Sequence, residues 1–184
     1  VASDTGGPEC AAVVGSGWAC GAIDVDRCGE GPARQSAETG DTGAAWNDPV
    51  KGGELAKSQF DRGADVVFAA AGQTGLGVLQ AAKDAGKLSI GVDSNQNGIH
   101  PGSVLTSMLK RVDVAVHAAF SDAQGGKFTP GIVALGLKEG GVDYALDDNN
   151  KALITDEMKA AVDKAKADII AGTVQVHDFM ADNA

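Results

Sequence analysis

Four places in this chain carry groups that could recognise a small polar molecule: Trp46, the turn Gly72-Gln73-Thr74-Gly75, Asp93 and Lys110. A tryptophan offers a flat apolar plate on which an aromatic ring can stack. The glycine turn offers backbone amides with little side chain to shield them, and Gln73 adds a polar arm to it. Asp93 accepts hydrogen bonds and Lys110 donates them, so the two can share a group such as a sugar hydroxyl. An aromatic plate, amides, an anion and a cation make up the inventory of a binding site that performs no reaction. Reactive arrangements are missing from the pattern. Ser94, Ser103 and Ser107 lack the sharp G-x-S-x-G context. His100, His117 and His177 have no Cys or His partner near them in sequence, so none is assigned to metal or catalysis.

Each of these residues also has a plain structural reading. Trp46 either stacks on a ligand or caps the core from above. Lys110 either reaches a ligand or pairs with Asp113 at the surface. Gly72-Gln73-Thr74-Gly75-Leu76-Gly77 follows a strand and has Asp93 about 20 positions on, which partly satisfies a dinucleotide fingerprint. An NAD(P)-binding oxidoreductase using Gly72 to Gly77 and Asp93 is therefore the alternative, although the glycine spacing is not G-x-G-x-x-G. Gly15-Ser16-Gly17 lacks a following Lys-Ser/Thr and reads as a flexible turn. Cys10, Cys20 and Cys28 match no zinc spacing and read as small buried or idle residues.

The elements that must position these groups follow from local pattern. Val66 to Ala71 is a short apolar run and reads as a buried strand. Leu76 to Ala85 has helical spacing and stops at Gly86, and Leu88 to Val92 is a second strand ending on Asp93. Strand, turn, helix and strand in this order form a βαβ unit with parallel strands. Asp48-Pro49 opens an earlier helix as N-cap and first helical residue, with Leu55, Ala56, Gln59 and Phe60 along it and Gly63 at its close. Val104 to Leu109 is a third strand ending on Lys110, and Val112 to Ala123 a helix with Val112, Val116, Ala119 and Phe120 as its inner stripe. Gly131 to Leu137 reads as a further strand, and Gly140 to Leu146 turns and extends again. The last helix starts near Thr155-Asp156, buries Met158, Ala161, Val162, Ala165 and Ile169, and ends at Gly172; Val174 to Val176 is a closing edge strand. Upstream, Ala11 to Val14 is strand or a piece of helix, and Ile23 to Ser36 reads as loop. The expected class is α/β, a Rossmann-like lobe with a mainly parallel sheet and flanking helices.

Composition narrows the function classes. The 184 residues carry a formal net charge of −10 with scattered basic residues, which argues against a nucleic-acid polymer as partner. No apolar run approaches the ~18 residues of a membrane helix, and no signal peptide stands at the start. An interaction module would call for a repeat or an exposed apolar patch, and the sequence suggests neither.

From Gly40 onward the chain resembles the C-terminal half of the basic membrane protein family, the purine-nucleoside-binding lipoproteins that serve ABC importers. The segments that carry the resemblance are Thr42-Gly43-Ala44-Ala45-Trp46-Asn47-Asp48-Pro49, Gly63 to Gly72, and Gly91-Val92-Asp93-Ser94-Asn95-Gln96. Val104 to Asp113 and Gly136-Leu137-Lys138-Glu139-Gly140-Gly141-Val142 follow in the same order. The resemblance implies a periplasmic-binding-protein fold of the first type, two α/β lobes closing over a ligand, and no enzyme activity or cofactor. It further implies that Trp46 stacks on a base while Asp93, Lys110 and the turn at Gly72 and Gln73 hold a ribose. Gln73 departs from the family's usual Gly-Gly-Thr-Gly. Residues 1–40 match poorly, with Trp18-Ala19-Cys20-Gly21 faintly similar to the helix that opens the second lobe. Residues 41–184 correspond to the C-terminal lobe and hinge segments, with the first lobe largely absent. The implied partners are a purine nucleoside or nucleobase and an ABC transporter permease. The implied place is the periplasm or the extracytoplasmic face of a bacterial membrane, with an anchor through a lipidated N-terminus upstream.

Overall fold

The computed structural model describes residues 10–14, 35–38 and 43–176. Its centre is a sheet of strands β1 (Cys10–Val14), β2 (Gln35–Glu38), β3 (Val66–Ala70), β4 (Leu88–Asp93), β5 (Val104–Lys110) and β6 (Val142–Tyr144). Their order across the sheet is β2-β1-β3-β4-β5-β6. Neighbours from β2 through β5 are parallel, and β6 runs antiparallel to β5. The fold is α/β, as expected. Ala11 to Val14 resolves as strand, and Gln35–Glu38 forms a second strand within and beyond the stretch read as loop. The other readings on residues 1–9, 15–34, 39–42 and 177–184, including those on Trp18, Cys20, Cys28 and His177, lie outside the described residues.

Two helices cover one part of the sheet. Helix α1 (Pro49–Asp61) begins where expected: Asp48 Oδ1 accepts the Lys51 N–H at 2.9 Å, and Pro49 occupies the first turn, where its missing donor costs nothing. Helix α2 (Gly75–Asp84) follows a 3-10 turn, Gly72–Thr74, and ends before Gly86, whose φ of 65° lets the chain reverse. Ala56 and Phe60 of α1, Val78, Leu79 and Ala82 of α2, and Val67 and Ala69 of β3 are buried together. The helices approach closely because Gly77 has no side chain. A Cβ built there would lie 1.7 Å from the Pro49 carbonyl oxygen.

The second half departs from the sequence reading. Helix α3 (Val112–Gln124) and helix α4 (Asp156–Ile170) form, but neither holds a buried residue. The stripe read as the inner face of α3 lies open, with Val112 54%, Val116 47% and Phe120 73% exposed. Met158 and Val162 of α4 are exposed as well. Gly131 to Leu137 is not a strand, and Ile132 is fully exposed. The closing edge strand at Val174 to Val176 is likewise absent. A strand needs a neighbour to take its backbone hydrogen bonds, and an amphipathic helix needs an apolar surface to cover. Among the described residues nothing supplies either.

Candidate functional site

The carboxyl ends of β3, β4 and β5 lie side by side, and the four candidate groups sit on them. Parallel pairing guarantees this: strands joined by crossovers point the same way, so their last residues share one edge. The Gly72–Thr74 turn follows β3, Asp93 is the last residue of β4, and Lys110 is the last of β5. Trp46 closes a 3-10 turn, Gly43–Trp46, just before α1.

Thr74 binds the first two pieces together. Its side chain is fully buried; its hydroxyl donates to the Ala45 carbonyl at 2.6 Å and accepts the Asp48 N–H at 2.8 Å. The Trp46 loop and the helix N-terminus are thereby tied to the turn after β3. Gly72, at φ 54°, leaves room for the indole: a Cβ there would stand 3.5 Å from Trp46 Cε3 and 3.1 Å from its carbonyl oxygen. Trp46 is half-buried, so its ring both packs on Gly72 and keeps surface open. The two readings of this residue are compatible. Gln73 points into solvent.

Asp93 and Lys110 meet. Their Oδ1 and Nζ are 3.0 Å apart, and both side chains are more than half exposed. An ion pair at this exposure contributes at most ~1 kcal/mol, so a ligand that engages both groups displaces little. The other partner considered for Lys110 is engaged elsewhere. Asp113 is held instead by Arg111, whose Nε and Nη2 donate to it at 2.9 and 2.8 Å. Those hydrogen bonds bring the Asp113 carboxyl down to about 2. Asp93 is also the one non-glycine among the described residues with positive φ, 68°.

Behind the site runs a polar network that sequence reasoning missed. The loop after Asp93 is pinned by Asn97 and Ser107, both fully buried, and by Asp147. Asn150, also buried, donates to the carbonyls of Leu105 and Ala145 at 2.9 Å each. The polar richness of Ser94 to Asn97 and Asp147 to Asn150 was the available signal, but their partners lie far apart in sequence.

No His/Cys/Asp/Glu cluster among the described residues has the grouping of a metal site. The glycines of the supposed dinucleotide turn are occupied internally. Gly72 meets Trp46, Gly77 meets the Pro49 backbone, and a Cβ on Gly75 would lie 3.2 Å from the Ala69 carbonyl oxygen. Their missing side chains serve packing, which removes the structural argument for a pyrophosphate cradle.

Comparison with known proteins decides the family. The family described as "ABC transporter substrate-binding protein PnrA-like" (Bmp) matches residues 39–178. The chain belongs to this family. Its members are substrate-binding proteins and not enzymes, so the oxidoreductase alternative is set aside. Among Bmp relatives, the chain is 37% identical over 150 residues to an ABC transporter nucleoside-binding protein of Lactococcus lactis subsp. cremoris, covering 72% of this chain and 41% of that protein. It is 38% identical over 105 residues to an uncharacterized lipoprotein of Pyrococcus abyssi, covering 54% of this chain and 26% of that protein. The chain thus spans less than half the length of these relatives. In structure it resembles an ABC transporter solute-binding protein of Aeropyrum pernix K1, with TM-score 0.74 and 25% identity over 92% of this chain and 57% of that one. No helix among the described residues is long and apolar enough to cross a membrane.

Proposed function

We propose that this chain is the C-terminal lobe, with hinge segments, of an ABC-importer receptor that binds a purine nucleoside or nucleobase. The observation that carries the reading is the shared edge: Trp46 packed on Gly72 after β3, and the Asp93–Lys110 pair after β4 and β5. Adjacent strands are ~4.8 Å apart, so the edge from β3 to β5 spans roughly 10 Å, the scale of a base joined to a ribose. The indole stacks on the base, and Asp93 and Lys110 accept and donate to the ribose hydroxyls. Gly72 and Gln73 contribute from the turn. The nucleoside-binding description of the Lactococcus relative supports this choice of ligand. The open faces of α3, Gly131 to Leu137 and α4 support a further lobe that covers them. The relatives described as lipoproteins support an extracytoplasmic place, a lipid anchor upstream and a permease as partner.

Titration calorimetry tests the reading with a purine nucleoside and its free base. Trp46→Ala should weaken both ligands. Asp93→Ala should weaken the nucleoside roughly 10- to 100-fold, the loss of a charge-assisted hydrogen bond, and leave the base nearly unchanged. Equal losses for both ligands would rule out the ribose contact, and no loss with Trp46→Ala would rule out stacking.

A further inference from the structure

Asp93 is held in a conformation its backbone does not favour. Ser94 N–H donates to the Val92 carbonyl at 2.8 Å, closing a three-residue turn with Asp93 at its centre and φ at +68°. A γ-turn of this hand is rare and strained, and such strain persists only where the surroundings over-determine it. Gln96 supplies the constraint. Its Oε1 accepts the Val92 N–H at 2.9 Å, so the residue before Asp93 is gripped at its N–H by Gln96 and at its carbonyl by Ser94.

Gln96 is itself anchored. Its own N–H donates to Ser107 Oγ at 3.0 Å, and that hydroxyl donates to Asn97 Oδ1 at 2.8 Å. Asn97 Nδ2 reaches Asp147 Oδ2 at 3.2 Å, where Asn95 Nδ2 also donates at 2.6 Å. Gly91 makes the approach possible: a Cβ there would stand 2.5 Å from Gln96 Oε1 and 3.0 Å from Ser107 Oγ. The ladder between β3 and β4 ends with Phe68 opposite Ile90, while β4 and β5 stay paired to Asp93 opposite Leu109. Gln96 therefore grips β4 beyond the point where β3 has left it. The turn it fixes sets where the Asp93 carboxylate emerges beside Lys110.

We infer that Gln96 is a positioning residue: by gripping Val92 it fixes the strained turn at Asp93 and so aims that carboxylate at the ligand. The consequence for ligand choice rests on the nucleoside reading above, whereas the positioning itself does not. The first test is the ligand-free structure of the full chain carrying Gln96→Leu, which keeps the bulk and removes the acceptor. Asp93 should relax to negative φ, and its contact with Lys110 should open. Gln96→Glu, which keeps an acceptor oxygen, should restore both. Retention of the positive φ and of the ion pair in Gln96→Leu would overturn the inference.

The second test is calorimetric. Gln96→Leu should weaken a purine nucleoside about tenfold, within the range of coupling through one hydrogen-bond network or a backbone shift, and spare the free base. In an Asp93→Ala background the same change should add nothing. Equal loss for nucleoside and base, or full additivity with Asp93→Ala, would mean that Gln96 merely stabilises the loop. If Asp93→Ala alone leaves nucleoside affinity intact, the ribose reading fails, and the structural arm still decides the role of Gln96. Asp93→Gly gives an arm that does not depend on Gln96→Leu folding. Glycine takes positive φ without strain, so Tm should hold or rise, and a clear fall would overturn the premise of a strained turn.

Discussion

Replacing Thr74 by Val tests whether one hydroxyl assembles the aromatic side of the site. Valine matches threonine in shape, so packing against α1 is kept and only the hydrogen bonds are lost. Thr74 Oγ1 serves two groups, the Ala45 carbonyl at 2.6 Å and the Asp48 N–H at 2.8 Å. Ala45 is 4% exposed, so its carbonyl has little access to water once the hydroxyl is gone. Leaving a buried acceptor unsatisfied costs ~1–3 kcal/mol. Asp48 is exposed, and water can take over its N–H at small cost. The total loss should be about 2–3 kcal/mol. For a chain of this size that is a fall in Tm of roughly 5–10 °C. Thr74→Ser keeps the hydroxyl and removes one buried methyl, worth about 0.8 kcal/mol, so its Tm should fall by only a few degrees. Differential scanning calorimetry of both variants gives the comparison, and tryptophan fluorescence, with Trp18 replaced by Phe throughout, reports whether Trp46 has left Gly72. A Thr74→Val protein as stable as Thr74→Ser would refute the argument that the hydroxyl holds the loop.

Two further outcomes follow from the same geometry. Gly77→Ala would push a methyl group to 1.7 Å from the Pro49 carbonyl oxygen, a backbone atom that cannot swing aside, so α1 and α2 must separate; about 3 kcal/mol of stability should be lost in urea unfolding, and a neutral result would mean that the helices do not pack this closely. The Asp147 carboxyl is held below its usual 3.8 first by the Asn95 amide and then by the Asn149 N–H. A lowered folded value means that its contribution is complete above the unfolded value and is lost as pH falls through the folded one. As pH falls below 3.8 the side-chain amide signals of Asn95 and Asn97 should therefore shift in NMR spectra, and Asp147→Asn should abolish that titration; signals unmoved until global unfolding would show that Asp147 does not hold the loop.

Local features of the chain were readable because local physics makes them. Asp48-Pro49 caps α1 whatever surrounds it, and Gly86 ends α2 because few other residues adopt its φ cheaply. The apolar runs of β3, β4 and β5, separated by helical spacing, were enough to predict parallel order and hence a shared edge for Gly72, Asp93 and Lys110. Nearness in sequence left one pairing open. Asp113, three positions from Lys110, was one of the two readings of that lysine, but the paired ends of β4 and β5 place Asp93 against it, and Arg111 holds Asp113. The readings of the Val112, Val116 and Phe120 stripe as an inner face and of Gly131 to Leu137 as a strand assumed partners that the described residues do not contain.

By itself, then, the sequence determined the α/β class, the succession of strands and helices from Val66 to Lys110 and which side chains end those strands, since hydrophobic period, caps and turns act over a few residues. Tertiary structure alone decided what those side chains touch. Thr74 reaches back across 29 residues to Ala45, and Asn97 reaches forward across 50 to Asp147. The positive φ of Asp93 is set by Gln96, which is anchored through Ser107 of the neighbouring strand. Such contacts form only when the sheet brings distant segments within hydrogen-bond range, and the short-range pattern of the chain carries no record of them.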